Sequence, residues 1–275
     1  GERMKSKTAS YPYLIWMALF IVIPMAMVVF FAFTDQSGAF TLQNISTVGR
    51  YSNVFVRSIW LGAIATAISL VLGYPLAYVI AQGTERRQNV MIMLVMLPMW
   101  MNFLLRTYAW MTLLEDNGLI NNALAALGLG RLHMINTQGA VVLGMIYNYI
   151  PYMILPIYSV LTKIDPSIIE AAQDLGADQK RVFLRVVFPM SIPGVISGIT
   201  MVFVPAVSTF IISKMLGGGS NLLIGDLIDM QFLGSAYNPN LGSAISLVLM
   251  VLILICMGIM NQFDDGENEK GGLMI

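Results

Sequence analysis

Long apolar segments separated by short polar ones dominate this sequence. Windows of about twenty mostly apolar residues are long enough to cross a bilayer as helices. Six such windows occur, at residues 13–33, 59–81, 90–114, 140–161, 187–213 and 241–260. The pattern predicts an all-α polytopic membrane protein with six transmembrane helices. Its membrane domain covers residues 13–262, between an N-terminal segment at 1–12 and a solvated, disordered tail at 263–275.

Composition agrees with a membrane protein and argues against an enzyme. Hydrophobic residues make up 57% of the chain, charged residues 11%, and the mean hydropathy is +0.75; soluble domains carry about 25% charged residues. The sequence has no phosphate-binding G-x-x-x-x-G-K-[ST] loop and no hydrolase motif. Cys256 and His133 each occur alone, so we expect no metal cluster. We predict a non-catalytic chain that depends on a partner protein for energy.

Basic residues indicate the orientation of the predicted spans. With the N-terminus inside, the cytoplasmic side holds ten of them, and the outer loops hold three besides Lys214 at the edge of the fifth span, in accord with the positive-inside rule. The cytoplasmic ten are Arg3, Lys5, Lys7, Arg86, Arg87, Lys163, Lys180, Arg181, Arg185 and Lys270; the outer three are Arg50, Arg57 and Arg131. The first span lacks a small-residue cleavage pattern, which favours a retained anchor over a signal peptide. We predict cytoplasmic N- and C-termini.

Proline is frequent within the predicted spans. It occurs at Pro24, Pro75, Pro98, Pro151, Pro156, Pro193 and Pro205. Each proline kinks a helix and leaves backbone groups that neighbouring helices or a water-filled cavity must satisfy. Kinked helices around a solute pathway fit this pattern, and so do prolines that only shape helix packing.

A polar island at residues 163–189, KIDPSIIEAAQDLGADQKRVFLRVVFP, separates the fourth and fifth spans. Asp165 followed by Pro166 predicts the start of a short helix, with an N-cap and proline at the first helical position. Gly176 suits the left-handed residue that ends this helix, and Asp178 is placed to cap a second short helix. The apolar stripe of the first helix is predicted from the i, i+4, i+7 positions Ile168, Ala172 and Leu175.

Five residues of the island keep the spacing of a known transporter motif. Glu170, Ala171, Ala172, Gly176 and Pro189 resemble the EAA loop of permease subunits of importer-type ABC transporters. The closing I-x-L-P of that motif reads V-V-F-P here, with apolar replacements. The resemblance implies a type I importer permease fold and a coupling helix that docks on a separate ATPase, which holds ATP and Mg²⁺. It assigns this contact to Glu170, Ala171, Ala172, Asp174 and Gly176.

A closer resemblance extends over most of the chain. The segments that carry it are Leu72-Gly73-Tyr74-Pro75, E-A-A-Q-D-L-G-A at 170–177, Gly217-Gly218, N-L-L-I-G at 221–225 and Gln231-Phe232. They are similar to the permease subunits of spermidine/putrescine ABC importers. That family implies a bacterial inner-membrane protein forming half of a polyamine pathway. It also implies three kinds of partner: a second homologous permease, an ATPase dimer and an extracytoplasmic polyamine-binding protein.

Acidic and aromatic residues are the candidates for solute contact. Asp226 and Asp229 share one helical face and can attract a cation, or they can be the solvated side of an interfacial helix. Trp100 and Tyr149 lie deeper in their spans than Tyr108, Trp110 and Tyr158, for which anchoring at the membrane interface is the competing interpretation. Aromatic faces attract ammonium groups. We predict Asp226, Asp229, Trp100 and Tyr149 as pathway residues. Arg106 does not suit a cation route, and we expect it to pair with Glu115 or Asp116.

Two alternatives stay open at this point. The same type of permease can carry another small organic cation, an opine or an amino acid derivative. An ion-coupled secondary transporter is disfavoured because such proteins carry charged groups near the bilayer midplane, and Arg106 is the one charged residue within the predicted spans.

Overall fold

The computed structural model describes residues 11–234 and 236–271, and from residue 263 onward it describes the backbone alone. Most of the predicted N-terminal segment, residues 1–10, therefore lies outside the described residues, as do residues 272–275 of the predicted tail.

Helices make up most of the described backbone, which confirms the all-α class. In chain order they are α1 Tyr11–Ala32, α2 Gln43–Val48, α3 Ser52–Ala81, α4 Glu85–Trp100, α5 Phe103–Leu114, α6 Leu119–Ala126, α7 Gln138–Leu161, α8 Pro166–Asp174, α9 Gln179–Ser208, α10 Ile211–Leu216, α11 Ile224–Phe232 and α12 Pro239–Gly271. Within the described ranges the β structure is an isolated bridge between Thr34 and Phe40.

The third predicted span is broken, which corrects the expectation of one helix over 90–114. Five of the described helical runs are long and apolar enough to cross a membrane: α1, α2 joined to α3, α7, α9 and α12. The sixth candidate is a bent pair, in which α4 meets the run Phe103–Ala126 at 88°. Pro98 lies in the last turn of α4, and Asn102 starts α5 by accepting a hydrogen bond from the backbone N–H of Leu104 at 2.8 Å. A helix end followed by a new N-cap explains the break.

Two further boundaries differ from the predictions. Helix α9 begins at Gln179, within the polar island, although the fifth span was predicted to start at 187. Helix α12 continues through Gly271, so the backbone of the predicted tail is helical where disorder was expected. No proline interrupts residues 261–271, so the helix of the last span has no strong breaker there.

The described chain divides into two compact units. One holds the residues up to Asn53 together with Leu227–Ile253, and the other holds Val54–Asp226 and the residues from Leu254 onward. In the first unit, two side-chain amides cap the end of α1. The Nδ2 groups of Asn240 and Asn44 donate to the Thr34 carbonyl at 2.7 and 2.8 Å. Such partners are needed because the last carbonyls of a helix have none within it.

The core of the second unit depends on a close approach between α7 and α9. A Cβ atom added at Gly194 would lie 2.9 Å from the Pro156 carbonyl oxygen, and one added at Gly198 would lie 2.8 Å from Met153 Sδ. Met153 itself is fully buried. Small residues four positions apart let two membrane helices pack backbone to backbone. These glycines therefore hold together the two helices that flank the polar island.

We predict that Gly198→Leu destabilises the protein by about 1–3 kcal/mol, because the added side chain overpacks the contact with Met153. The thermal unfolding midpoint of the detergent-solubilised permease measures the effect. Gly258→Leu is the matched control, since nothing lies within 4 Å of its Cβ position on α12. Equal midpoints for the two variants would contradict the packing described above.

Candidate functional site

The polar island folds into a capped helix, α8, as predicted. The Asp165 side chain accepts a hydrogen bond from the backbone N–H of Ser167 at 2.9 Å, and Pro166 takes the first helical position. That hydrogen bond holds the pKa of Asp165 below its ordinary value. Gly176 follows the helix with φ of +82°, the left-handed conformation in which glycine carries no steric cost. The start and end of α8 are thus fixed by three residues of the local sequence.

The second half of the island corrects the expectation of a separate short helix. Asp178 caps the new helix through the backbone N–H of Arg181 at 2.8 Å, as predicted. The helix does not stop but continues as α9 into the fifth span. A π-helical turn at Phe183–Val187 precedes Pro189, and the backbone N–H of Phe188 bonds to the Phe183 carbonyl. The wider turn accommodates the missing N–H of Pro189 without ending the helix.

The two faces of α8 also differ from the predicted stripe. Ile169 and Ala172 pack against the buried core, whereas Ile168 is 40% exposed and Leu175 is 89% exposed. The outward positions are Glu170, Ala171, Gln173, Asp174 and Gly176. Four of the five predicted coupling residues therefore lie on the exposed side, and Ala172 lies on the packed side. Leu175 and the carboxylates of Glu170 and Asp174 are all exposed, so this side of α8 offers both apolar and charged contacts.

Aromatic side chains connect the start of α9 to α3. The Phe183 ring lies edge-on to Tyr78 and Tyr74, with centroid distances of 5.1 and 6.0 Å. The Tyr74 hydroxyl hydrogen-bonds with the Ser191 hydroxyl at 2.8 Å. We did not predict this cluster from the sequence, although Tyr74 and Tyr78 stand four residues apart on one face of α3. It attaches the island to a third helix of the unit.

A polar network joins the α3–α4 turn to α7 next to α8. The Gln88 amide donates to the carbonyls of Ala81 and Gly83, both at 2.9 Å, and accepts from the Tyr158 hydroxyl at 3.1 Å. A cavity of about 290 Å³ lies between this turn and Ile169 on the packed side of α8. The cytoplasmic turn predicted at 82–89 is therefore held against the helices that carry the island.

The predicted aromatic pathway residues have different environments. Trp100 ends α4 at the break and is 71% exposed, whereas Tyr149 on α7 is 9% exposed. An exposed apolar stripe runs along α4 and past the break; it consists of Met93, Leu94, Leu97, Trp100, Met101, Leu104, Leu105 and Tyr108. Trp100 is therefore not covered by its own chain, whereas Tyr149 is.

Arg106 is buried, and its predicted pairing is wrong. Its Nε and Nη1 atoms have no hydrogen-bond partner, and it is 7% exposed. The carboxylate of Asp116 lies 2.9 Å from Nδ1 of His133 instead, and Glu115 is exposed. Arg106 lies 5.8 Å from the Phe103 ring centroid. Asp116 and His133 both lie in the loops that flank α6, which explains why that carboxylate does not reach α5.

Asp226 and Asp229 both belong to α11 but are not equally accessible. Asp226 is 5% exposed, and its Oδ2 accepts a hydrogen bond from the backbone N–H of Leu223 at 2.8 Å. The next N–H, of Ile224, donates to Ser58 Oγ at 2.8 Å. Asp226 therefore works as a capping residue of α11, while Asp229 is partly exposed. A solute contact at either residue stays a prediction.

Comparison with known proteins adds evidence on the family. Residues 73–266 match the family described as binding-protein-dependent transport system inner membrane component. The chain belongs to this family. Its members are permease subunits of ABC importers, so the chain is a transport component of an inner membrane. The family resemblance inferred from the island is confirmed.

Similar sequences in this family come from several bacteria. The chain is 35% identical over 265 residues to the spermidine/putrescine transport system permease protein PotB of Haemophilus influenzae, covering 93% of this chain and 92% of the relative. PotB of Escherichia coli is 34% identical over 248 residues, 86% of this chain and 90% of that protein. The inner membrane ABC transporter permease protein YdcU of Escherichia coli is 30% identical, covering 78% and 73%.

Solved structures confirm the importer permease fold. A bacterial ABC transporter involved in the import of the acidic polysaccharide alginate contains a similar chain, with a TM-score of 0.77 and 18% identity over 95% of both chains. The MetNI methionine ABC transporter in an inward-facing conformation gives a TM-score of 0.61 at 14% identity, covering 79% of this chain and 96% of that one. At these identities the likeness concerns the fold alone.

Proposed function

We propose that this chain forms half of the polyamine pathway of an ATP-driven importer and couples it to a separate ATPase through α8. The cargo is proposed from the relatives named as spermidine/putrescine permeases, which are about one-third identical over nearly the whole chain. The coupling role is proposed from the exposed face of α8. The remaining partners are a second homologous permease and an extracytoplasmic polyamine-binding protein.

The geometry of α8 supports docking on a partner. Its ends are fixed by Asp165 and Gly176, its inner face packs on the core through Ile169 and Ala172, and its outer face presents Glu170 and Leu175. Such a helix resists displacement relative to α7 and α9. A force applied by the ATPase when it closes on ATP and Mg²⁺ would therefore reach the spans rather than deform the loop.

The route from α8 into the spans is the proposed coupling mechanism. Helix α9 continues from the island without a break, and Phe183 packs between Tyr74 and Tyr78 of α3. Movement of α8 would thus displace α7, α9 and α3 together and alternate the pathway between outward-open and inward-open states. This mechanism requires α8 on the cytoplasmic side, the orientation favoured by the ten basic residues counted there, with both termini in the cytoplasm.

The proposed solute contacts are aromatic and acidic. Trp100 is exposed at the break of the third span and presents a ring to the exterior of the chain. An aromatic face attracts an ammonium group by about 0.5–2 kcal/mol, depending on desolvation, which is strong enough to guide a polyamine and weak enough to release it. Tyr149 would contribute only after a rearrangement that uncovers it. Asp229 would supply negative charge near the solute, and the buried Asp226 would do so only after a similar rearrangement.

The coupling proposal predicts that Glu170→Lys releases the ATPase and abolishes uptake. Lysine keeps helix propensity, so α8 is retained while the charge of its exposed face is reversed. The measurement is co-purification of the ATPase with the solubilised permease pair, alongside ATP-driven uptake into proteoliposomes. Glu115→Lys, an exposed change in the loop after α5, is the control and should preserve both. Intact ATPase association and normal uptake in Glu170→Lys would refute the coupling role.

The cargo proposal predicts a higher KM for putrescine in Asp226→Asn and Asp229→Asn, made one at a time. Asparagine at 226 retains an oxygen that can accept from the Leu223 N–H, so this capping hydrogen bond is kept while the charge is lost. We expect KM to rise about three- to tenfold, in line with one weakened charge interaction. Asp116→Asn is the control. An unchanged KM would give these acids a purely structural role, and a parent complex that takes up no putrescine would refute the cargo itself.

A further inference from the structure

The structure contains a buried cation that its own chain does not neutralise. Arg106 is 93% buried, and the N–H groups on Nε and Nη1 donate to nothing. Within the described residues no carboxylate is seen to pair with Arg106: its Nε and Nη1 have no partner, and Asp116, one of the two predicted partners, contacts His133 instead. Its neighbours include the ring of Phe103 and the side chain of Tyr149, which are both uncharged at physiological pH.

The position of Arg106 excludes escape to the headgroups. The apolar part of α4, residues 90–100, is about 16 Å long at 1.5 Å per residue, roughly half of the 30 Å hydrocarbon core. The break that follows therefore lies near mid-membrane when α4 crosses from the cytoplasmic side. Arg106 lies in the first turn of α5, directly after this break, so it stays within the predicted hydrocarbon region. Arginines inside membranes are rare and are found with partners.

We propose that Arg106 is the binding site for a carboxylate that comes from outside this chain. A guanidinium keeps its charge at any physiological pH and offers directional N–H donors, and carboxylate oxygens are its preferred acceptors. The N-terminal end of α5 lies beside it and adds a favourable partial charge for an anion. Two sources have this chemistry: an acidic side chain in a span of the second permease, or a carboxylate on the transported solute.

The experiment rests on the proposed function and uses the complete importer in proteoliposomes. Putrescine and 5-aminovalerate have the same four methylenes, but a carboxylate replaces one ammonium group in the second molecule. If the solute is the source, 5-aminovalerate inhibits putrescine uptake by the parent, and Arg106→Gln weakens that inhibition at least about tenfold with little change in the KM of putrescine. Putrescine uptake by the parent tests the cargo separately, so failure of the cargo and failure of the site are distinguishable.

The second arm tests the partner permease as the source. Here Arg106→Gln lowers the thermal midpoint of the assembled complex by several degrees, and neutralising one intramembrane acidic residue of the second permease restores it. Arg131→Gln is the control, because Arg131 is exposed and its Nη1 donates to Asn117 in an outer loop at 2.7 Å. Arg106→Lys, which keeps the charge, should behave closer to the parent than Arg106→Gln in whichever arm responds.

Either response supports a carboxylate site, and the arm that responds identifies its source. If Arg106→Gln matches Arg131→Gln in both arms, the proposal is overturned. A variant Arg106→Gln that does not assemble is covered by two further measurements. The proposal is equally overturned if no neutralisation in the second permease restores assembly and if 5-aminovalerate inhibits uptake by Arg106→Lys no more than it inhibits uptake by an importer with another cargo.

Discussion

The close packing of α7 against α9 is the contact on which the rest of this unit depends. Gly194 and Gly198 remove the side chains that would separate the two backbones, and Met153 fills the remaining space. Because α8 connects these two helices, their contact turns a surface loop into part of a rigid three-helix element. The aromatic contacts of Phe183 then add α3 to the same element. In the proposed coupling mechanism, these contacts would carry a displacement of α8 into α7, α9 and α3.

A second constraint explains where the helices are allowed to break. Hydrocarbon offers no hydrogen bonds, so each interruption needs a side chain that satisfies the freed backbone groups. Asn102 performs this task at the break of the third span, Asn44 and Asn240 at the end of α1, and Asp226 with Ser58 at the start of α11. Arg106 differs from all of these, because it brings donors into the interior without an acceptor. That contrast is why we interpret it as a site for an external group.

The sequence predicted those features that depend on local chemistry. The caps of α8, its terminating glycine and five of the membrane helices follow from residue type and spacing alone. The buried face of α8 was predicted wrongly, because Ile168 and Ile169 are adjacent and both apolar. Only tertiary packing decides which of the two is buried. The break at Asn102 was missed for a related reason. Pro98 indicates a kink, but an 88° turn also requires the cap that the folded chain supplies.

The candidate site was predictable to different degrees in its two parts. The proposed coupling residues carry a fixed spacing, so a motif predicts them without a structure. The solute contacts carry no such spacing, and the exposure of Trp100 and the burial of Tyr149 and Asp226 depend on how distant segments meet. The Tyr74–Tyr78–Phe183 cluster belongs to the same class, because Phe183 lies more than a hundred residues along the chain from the two tyrosines that it contacts.

The most direct test of the account is the accessibility of α8 in the assembled importer. Ala171→Cys places a thiol on the exposed face of α8 in a background with Cys256→Ser, and Leu129→Cys serves as the outer-loop reference. A membrane-impermeant maleimide should label the α8 thiol from the cytoplasmic side, in inverted vesicles, and ATPase binding should protect it. Labelling from the outer side, or labelling that the ATPase does not change, would contradict the claim that α8 is the docking helix.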